Sequence, residues 1–407
     1  MVESDGARFQ RLLDGASTKL ERGRAYVAWL RRQARTLGSL QRVEPLAYWP
    51  SSRVAVFDIR LGARSSVLAT AVLHPDENEK LVELRLSAPA AASFVTAEIF
   101  RRAMLRGSHV DVSTCVARHV KEQKLAFAGA GQDRVQPIAS LNKLILLRGL
   151  QAAISSERIS LTETLKTASP PQASGTGIIR HWPKGLPLSV HSLAALAMGE
   201  TSDNAASDLL LLRIGRANVE SSMREALRPD KPNPSLLPFL SHAEAFCLIW
   251  GPDEKFSADY LKASESERRA MLNEDLPQRM RASELRPSIE ASRRLERLGW
   301  PMSPKQVVRV GDAILRGSQW DPSTPALGLL SIGGSERRYA DGALNYLGVK
   351  SGWHPGVRSV YVLAQSRAKE WWSVCIVLRG AESALQAAAL HAALDRVVLL
   401  AVCGRLR

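Results

Sequence analysis

The sequence predicts an α/β protein of the α+β type, built as two domains. Three observations predict it. A helix-like run followed by three strand-like runs fills the first 88 residues. A short stretch of Pro, Ala and Ser follows, which cannot build a core. After it come, in order, a helix, two strands, a helix, a long all-α region, three strands joined by tight turns and a closing helix. A chain of 407 residues is long enough for two or three domains.

Phe9, Leu12, Leu13, Leu20, Tyr26, Val27 and Leu30 recur near helical spacing and predict a helix over Phe9 to Leu37. Beyond Pro45 and Pro50 the period changes. Val54 to Arg60, Ser66 to Leu73 and Leu81 to Leu86 read as strands separated by polar turns. Residues 1–88 are therefore expected to form a small helix-plus-curved-sheet domain, with a linker over 89–93 and a second domain over 94–407. In that second domain a helix is expected over Phe94 to Leu105, strands over Val110 to Val120 and Leu125 to Ala128, and a helix from Ser140 to about Ile154. Ser169 to Pro187 is a loop and His191 to Met198 a helix. Charged helices and loops fill 216–300. Strand-like Leu344 to Gly352 leads into a turn, Trp353-His-Pro-Gly356, and then into strands over Val357 to Ala364 and Trp371 to Leu378. A helix from Ser383 to about Val402 closes the chain. No repeat or low-complexity segment interrupts this order.

Hydrophobic residues make up 45 % and charged residues 23 %, ordinary for a globular protein. The net charge of +15 suits anionic partners. The Arg residues are scattered, however, with no basic block and no zinc-finger or RNA-recognition signature, so nucleic acid is not expected as a partner. A basic surface that attracts an anionic small-molecule substrate is the better reading. Cys115, Cys247, Cys375 and Cys403 lie far apart in apolar contexts and read as buried free thiols. No apolar run is long enough to span a bilayer. The N-terminus lacks a basic-then-apolar leader, which places the protein in the cytoplasm if Met1 is the native start, and in the periplasm or outside the cell if a leader has been removed. No metal or other cofactor is expected, since His181, His191 and His354 form no metal-ligand pair. The oligomeric state is not legible.

The chemistry is concentrated after Pro137. Ser140 and Lys143 are three residues apart at the start of an apolar helix and share one face. A serine hydroxyl needs a base to take its proton. A lysine one turn away can be that base if burial and the helix N-terminus lower its pKa. The same N-terminus offers unpaired N–H groups for a developing oxyanion. Ser-x-x-Lys alone is weak: Ser366 and Lys369 repeat it in a polar turn, and a cap plus a surface lysine is the plain alternative. Two later stretches, Ser202-Asp203-Asn204 and Lys350-Ser351-Gly352, change the balance.

These three motifs, in this order, resemble the signature of class A β-lactamases and penicillin-binding proteins, with Ser for Thr in the third keeping the hydroxyl. From about Phe94 onward the order of elements is similar to the β-lactamase-like transpeptidase fold, an antiparallel sheet flanked by helices plus an all-α subdomain. Ser174 to Gly185, the Ser-Asp-Asn segment and Leu237 to Glu244 resemble one branch in particular, that of the β-lactamase-like cephalosporin esterase of the clavulanic acid pathway. Its members carry a small steroid-isomerase or cyclase-like N-terminal domain, which residues 1–88 would match. The resemblance implies a serine hydrolase in which Ser140 carries the acyl group and Lys143 is the general base. Ser202 would relay a proton to the leaving group, and Asn204 would bind a substrate carbonyl and orient Lys143. Lys350 and Ser351 would hold a substrate carboxylate, beside Gly352. The N–H groups of Ser140 and Trp353 would form the oxyanion hole. Asp203 is expected to stabilise its own loop.

One departure matters. The Glu-x-x-Leu-Asn motif that activates the deacylating water in class A enzymes is absent. The nearest acid, Glu244 in Ser241-His-Ala-Glu244, reads as a capping box. The expected activity is therefore hydrolysis of carboxylic esters, with β-lactams handled more weakly. The alternatives are a class A-like β-lactamase proper, a D-Ala-D-Ala carboxypeptidase, and a penicillin-binding receptor that stays acylated.

Overall fold

The computed structural model describes strand backbone between residues 40 and 91, and residues 111–380 except 168–175, 184, 200, 283–291 and 335–343. The helices expected over 9–37, 94–105 and 383–402, and Cys403, lie outside the described residues.

The first sheet is antiparallel in the order β1 (Leu40–Trp49), β2 (Val54–Leu61), β3 (Ser65–Leu73), β4 (Leu81–Leu86). Its last three strands stand where alternation placed them. β1 was not expected, because Pro45 interrupts it. It is the edge strand, where a missing N–H can face away from the ladder, and its register slips between Pro45 and Ala47. Within the stretch expected as a linker, Ala90–Ala91 forms a two-residue strand, β5, paired with Ser65 and Ser66.

The second sheet carries Lys350, Ser351, Gly352 and Trp353 on one of its strands. Its strands are β6 (Asp111–His119), β7 (Ala126–Ala128), β12 (Leu344–His354), β13 (Val357–Ser366) and β14 (Trp371–Arg379), in the antiparallel order β12-β13-β14-β6-β7. β13 is buried along almost its whole length, with a continuous apolar run from Val360 to Ala364. β12 lies at the edge and runs two residues past Gly352. The expected turn at 353–356 is therefore shortened, because Trp353 and His354 still pair with Arg358 and Val357. Two-stranded pairs, β8 (Gln136–Pro137) with β11 (Pro301–Met302) and β9 (Thr164–Lys166) with β10 (Pro187–Ser189), brace the loops around the site.

The 3-10 turn Ala139–Asn142 packs against β12 and β13 and leads into helix α1 (Lys143–Ser155), which packs among helices. Leu144, Ile145, Leu146, Leu147, Leu150 and Ala153 are all buried, so apolar residues surround the helix axis, as suits a helix inside the core. The all-α region supplies its neighbours: α2 (Val190–Met198), α3 (Asn204–Ile214), α4 (Arg216–Ala226) and α5 (His242–Trp250). Then come α6 (Glu254–Lys262), α7 (Glu265–Glu274), α8 (Leu276–Ala282), α9 (Ser292–Leu298), α10 (Pro304–Gly317) and α11 (Pro325–Ser331). α10 lies between α1 and strands β6 and β14. No helix among the described residues is long and apolar enough to cross a membrane.

Candidate active site

Ser140 sits in the 3-10 turn and Lys143 opens α1, so the two belong to one continuous turn of chain. Ala139, immediately before the serine, has φ +51°, a left-handed conformation that alanine adopts at a cost of about 1–2 kcal/mol. Ser202 has φ +45°. Strained backbone of this kind persists only where the surroundings enforce it.

The surroundings here are specific. The Lys143 ammonium nitrogen lies 2.7 Å from the Ser202 carbonyl oxygen, 2.8 Å from Asn204 Oδ1, 3.0 Å from Ser202 Oγ and 3.3 Å from Ser140 Oγ. Lys143 is 1 % exposed. Burial, followed by the nearby Lys350 charge, holds its pKa well below the ordinary lysine value. Two of its four neighbours are carbonyl oxygens, which can only accept. A neutral amine has two N–H bonds and one lone pair. With the N–H bonds spent on Ser202 O and Asn204 Oδ1, the lone pair is left facing the two hydroxyls. A neutral lysine so placed can take a proton from Ser140.

Lys350 rises from β12 on the other side of Ser202. Its Nζ donates to Ser202 Oγ at 2.9 Å and to the Ser351 carbonyl at 3.1 Å. It too is 1 % exposed, and burial brings its pKa down to about 7. Ser202 Oγ therefore bridges two lysine nitrogens. Ser351 and Trp353, two residues apart, lie on the opposite face of the strand from Lys350 and are exposed, Trp353 by 48 %. The Arg358 guanidinium stands 5.0 Å from the centre of the Trp353 ring.

Gly352 explains how β12 approaches the serine. A Cβ there would lie 2.8 Å from the Ser140 nitrogen and 2.9 Å from the Ile138 carbonyl. Only a residue without a side chain allows strand and turn to meet this closely. Ser359, the cross-strand partner of Gly352, ties the same turn down by donating to the Ile138 carbonyl at 2.7 Å.

Asn204 begins α3, and Asp203 caps it. One Asp203 carboxylate oxygen accepts from Ala206 N at 3.0 Å, the other from Ile178 N at 2.6 Å and Ile179 N at 2.9 Å. Asp203 is thus engaged in holding its loop. Gly177, with φ +125°, lets the 176–179 segment lie against it. Thr176 completes the clasp with a bond to Ser202 O at 2.9 Å.

The structure therefore gathers Ser140, Lys143, Ser202, Asn204, Lys350 and Gly352 into one cluster, with Ser351 and Trp353 at its edge. The other Ser-x-x-Lys pair is not such a site: Ser366 is buried at the end of β13, whereas Lys369 is exposed in the following turn. Glu244 forms a capping box with Ser241, and its second oxygen accepts from Arg216 at 2.6 Å. Cys115, Cys247 and Cys375 are buried and form no disulfide with one another. Among the described residues no group of His, Cys, Asp and Glu side chains is placed to hold a metal.

Three residues beside the cluster escaped the sequence reading. Asp208, one turn after Asn204, accepts at Oδ1 from His242 N at 2.7 Å and pairs there with His242 Nδ1 at 3.1 Å. His242 Nε2 in turn lies 3.4 Å from Asn142 Nδ2. Asn142 was legible only as part of the Ser-x-x-Lys spacer and His242 only as part of a helix cap. The i, i+4 spacing of Asn204 and Asp208 was the available signal.

Residues 98–231 match the profile described as the Beta-lactamase enzyme family. Among solved structures, PBP-A is similar at 14 % identity, covering 73 % of this chain and 91 % of that one, with a TM-score of 0.48. A β-lactamase from Sphaerobacter thermophilus is similar at 16 % identity, covering 73 % and 93 %, with a TM-score of 0.49. One from Xanthomonas campestris is similar at 17 % identity, covering 77 % and 98 %, also at 0.49. No curated protein sequence matches the chain.

Proposed function

We propose that this protein is a β-lactamase-like serine hydrolase that works through an acyl-enzyme on Ser140, hydrolysing carboxylic esters and, more slowly, β-lactams. The observation that carries the reading is the environment of Lys143: a buried amine whose two N–H bonds are claimed by carbonyl oxygens and whose lone pair faces Ser140 and Ser202. The match of residues 98–231 to the β-lactamase profile supports the reaction class.

In this reading neutral Lys143 takes the Ser140 proton as Oγ bonds to the substrate carbonyl carbon. The carbonyl oxygen becomes an oxyanion between the backbone N–H groups of Ser140 and Trp353. β12 is an edge strand, which directs every second N–H away from its neighbour. As the tetrahedral species collapses, Ser202 gives its proton to the leaving alcohol or amine and receives the one held by Lys143. Asn204 holds Lys143 in place and offers its amide to a substrate carbonyl. Lys350 supplies the positive potential that draws a substrate carboxylate, and Ser351, exposed at the edge of the cluster, offers it a hydroxyl. Water then attacks the ester of Ser140, with Lys143 again the proton acceptor.

The preference for esters rests on the carboxylates. Glu244 is committed to Ser241 and Arg216, Asp203 to three backbone N–H groups, and no carboxylate is among the described hydrogen-bond partners of Lys143. A ring-opened β-lactam stays attached to the serine and obstructs water, whereas a small acyl group leaves room. The same observation favours a second reading, a penicillin-binding protein that deacylates slowly. Steady-state rates on a matched ester and cephalosporin, with the mass of the intact protein followed in parallel, separate the two. Ester turnover supports the hydrolase, and a lasting adduct from both substrates supports the receptor.

A further inference from the structure

Beside Lys143 lies a small cavity lined by Asn142, Lys143, Ser207, Asp208, Ser241 and His242 with apolar neighbours. It leaves about 10 Å³ for the centre of a water molecule, which is room for one. Asn142 lines it and is 1 % exposed, yet its Oδ1 has no hydrogen-bond partner. An amide oxygen left bare in the interior costs about 1–3 kcal/mol, and a bound water is the ordinary remedy.

The polar wall is ordered. Asp208 accepts two backbone N–H bonds at the start of α5, from His242 at 2.7 Å and Ala243 at 3.0 Å. A carboxylate that only accepts fixes His242 Nδ1, 3.1 Å away, as the donor. Nε2 then carries the lone pair and faces Asn142 Nδ2 at 3.4 Å. Asn142 lies within the turn that carries Ser140 and Lys143.

We propose that this cavity holds one ordered water, which donates to Asn142 Oδ1, and that Asp208, His242 and Asn142, closed by that water, form a positioning line that acts on the reaction through Lys143. The inference rests on the hydrolase reading above. Two effects follow. The line holds the nucleophile turn. It also sets the field at Lys143, because the Asp208 carboxylate favours the protonated amine and the His242 N–H bond tempers that carboxylate. The charged and titratable groups facing Lys143 are Lys350 and His354 from β12, Asp203 and Asp208 from the start of α3, and His242 from α5. Of these, Asp208 and His242 form the pair that touches the cavity.

The test is the acidic limb of the acylation rate, which follows loss of the proton from Lys143. Asp208→Asn removes the negative charge, so the limb moves to lower pH by about one unit. His242→Phe leaves Asp208 without its imidazole donor, so the limb moves the other way, to higher pH. His242→Gln, which can still donate to Asp208, stays nearer the wild type. A loss of packing would slow the variants without moving their limbs in opposite directions. Acylation is read as the mass gain on Ser140 during incubation with a penicillin or an activated ester, only with protein whose circular dichroism matches wild type. Coincident limbs in a wild type that is acylated overturn this inference and leave the hydrolase reading intact. A wild type that no reagent acylates overturns both. A high-resolution crystal structure of the wild type reads the water independently of activity: density within hydrogen-bond reach of Asn142 Oδ1 is expected, and an empty cavity overturns the water site.

Discussion

Lys143 Nζ lies 2.8 Å from Asn204 Oδ1, and the pair joins the first turn of α1 to the first residue of α3 across 61 positions of sequence. This bond directs one N–H of the lysine away from Ser140 and so leaves its lone pair for the serine proton. The chemistry proposed here depends on that division of the amine.

Removing the amine should remove the reaction. Lys143→Ala is expected to lower acylation of Ser140 by about 10²–10⁴-fold, the usual contribution of a general base. Asn204→Ala should act in the same direction but less, since Ser202 O still orients the lysine. Single-turnover acylation rates check both.

Lys350 predicts a pH effect whose sign is fixed. Its pKa in the folded protein is about 7, below the ordinary lysine value, so its charge is lost as pH rises through about 7. The ratio of kcat/KM for a carboxylate-bearing ester to that for a neutral ester should fall over that range. Added salt should lower the same ratio. Between pH 7 and the ordinary lysine pKa the unfolded chain binds the extra proton, so the lysine's burial penalty is full below pH 7 and eases as pH rises. Lys350→Met should therefore flatten the kcat/KM ratio and raise Tm at pH 6 more than at pH 9. A ratio independent of pH in the wild type would remove Lys350 from carboxylate binding.

Glu244 predicts a stability effect with little change in rate. Its carboxylate closes the capping box of α5 and pairs with Arg216. Glu244→Ala should lower stability by about 1–2 kcal/mol, as loss of a cap does, and leave ester kcat near wild type. Thermal melts and steady-state rates on the same preparation decide it. A collapse of β-lactam turnover in the folded variant would mark Glu244 as a base.

Gly352→Ala tests the contact of strand and turn. The added Cβ would meet the Ser140 nitrogen at 2.8 Å, so the turn or the strand must move. A shift of about 1 Å at a reacting group costs about 10²-fold in rate. The variant should fold, with a fall in kcat larger than its fall in Tm suggests.

Much of the site was legible because its motifs are local. Ser140 and Lys143 are separated by one turn, Asp203 and Ser241 announce helix starts, and Glu244 announces a capping box. The strands of both sheets were legible wherever Val, Ile and Leu alternate or run together, and β1 was hidden by Pro45, which only an edge position permits. What sequence could not show are relations formed by distant segments. His242 meets Asn142 across 100 positions, and Ser359 reaches Ile138 across 221. The left-handed backbone at Ala139 leaves no signal either, because alanine does not favour it and the surrounding packing imposes it.

The most direct test of the account is the mass of the intact protein after brief exposure to a chromogenic ester and to a chromogenic cephalosporin, with peptide mapping of any adduct. The account predicts a single acyl group on Ser140, short-lived from the ester and longer-lived from the cephalosporin, and none in Ser140→Ala, which should also lose turnover of both. Turnover that persists in Ser140→Ala, or an adduct mapped to another residue, would contradict it.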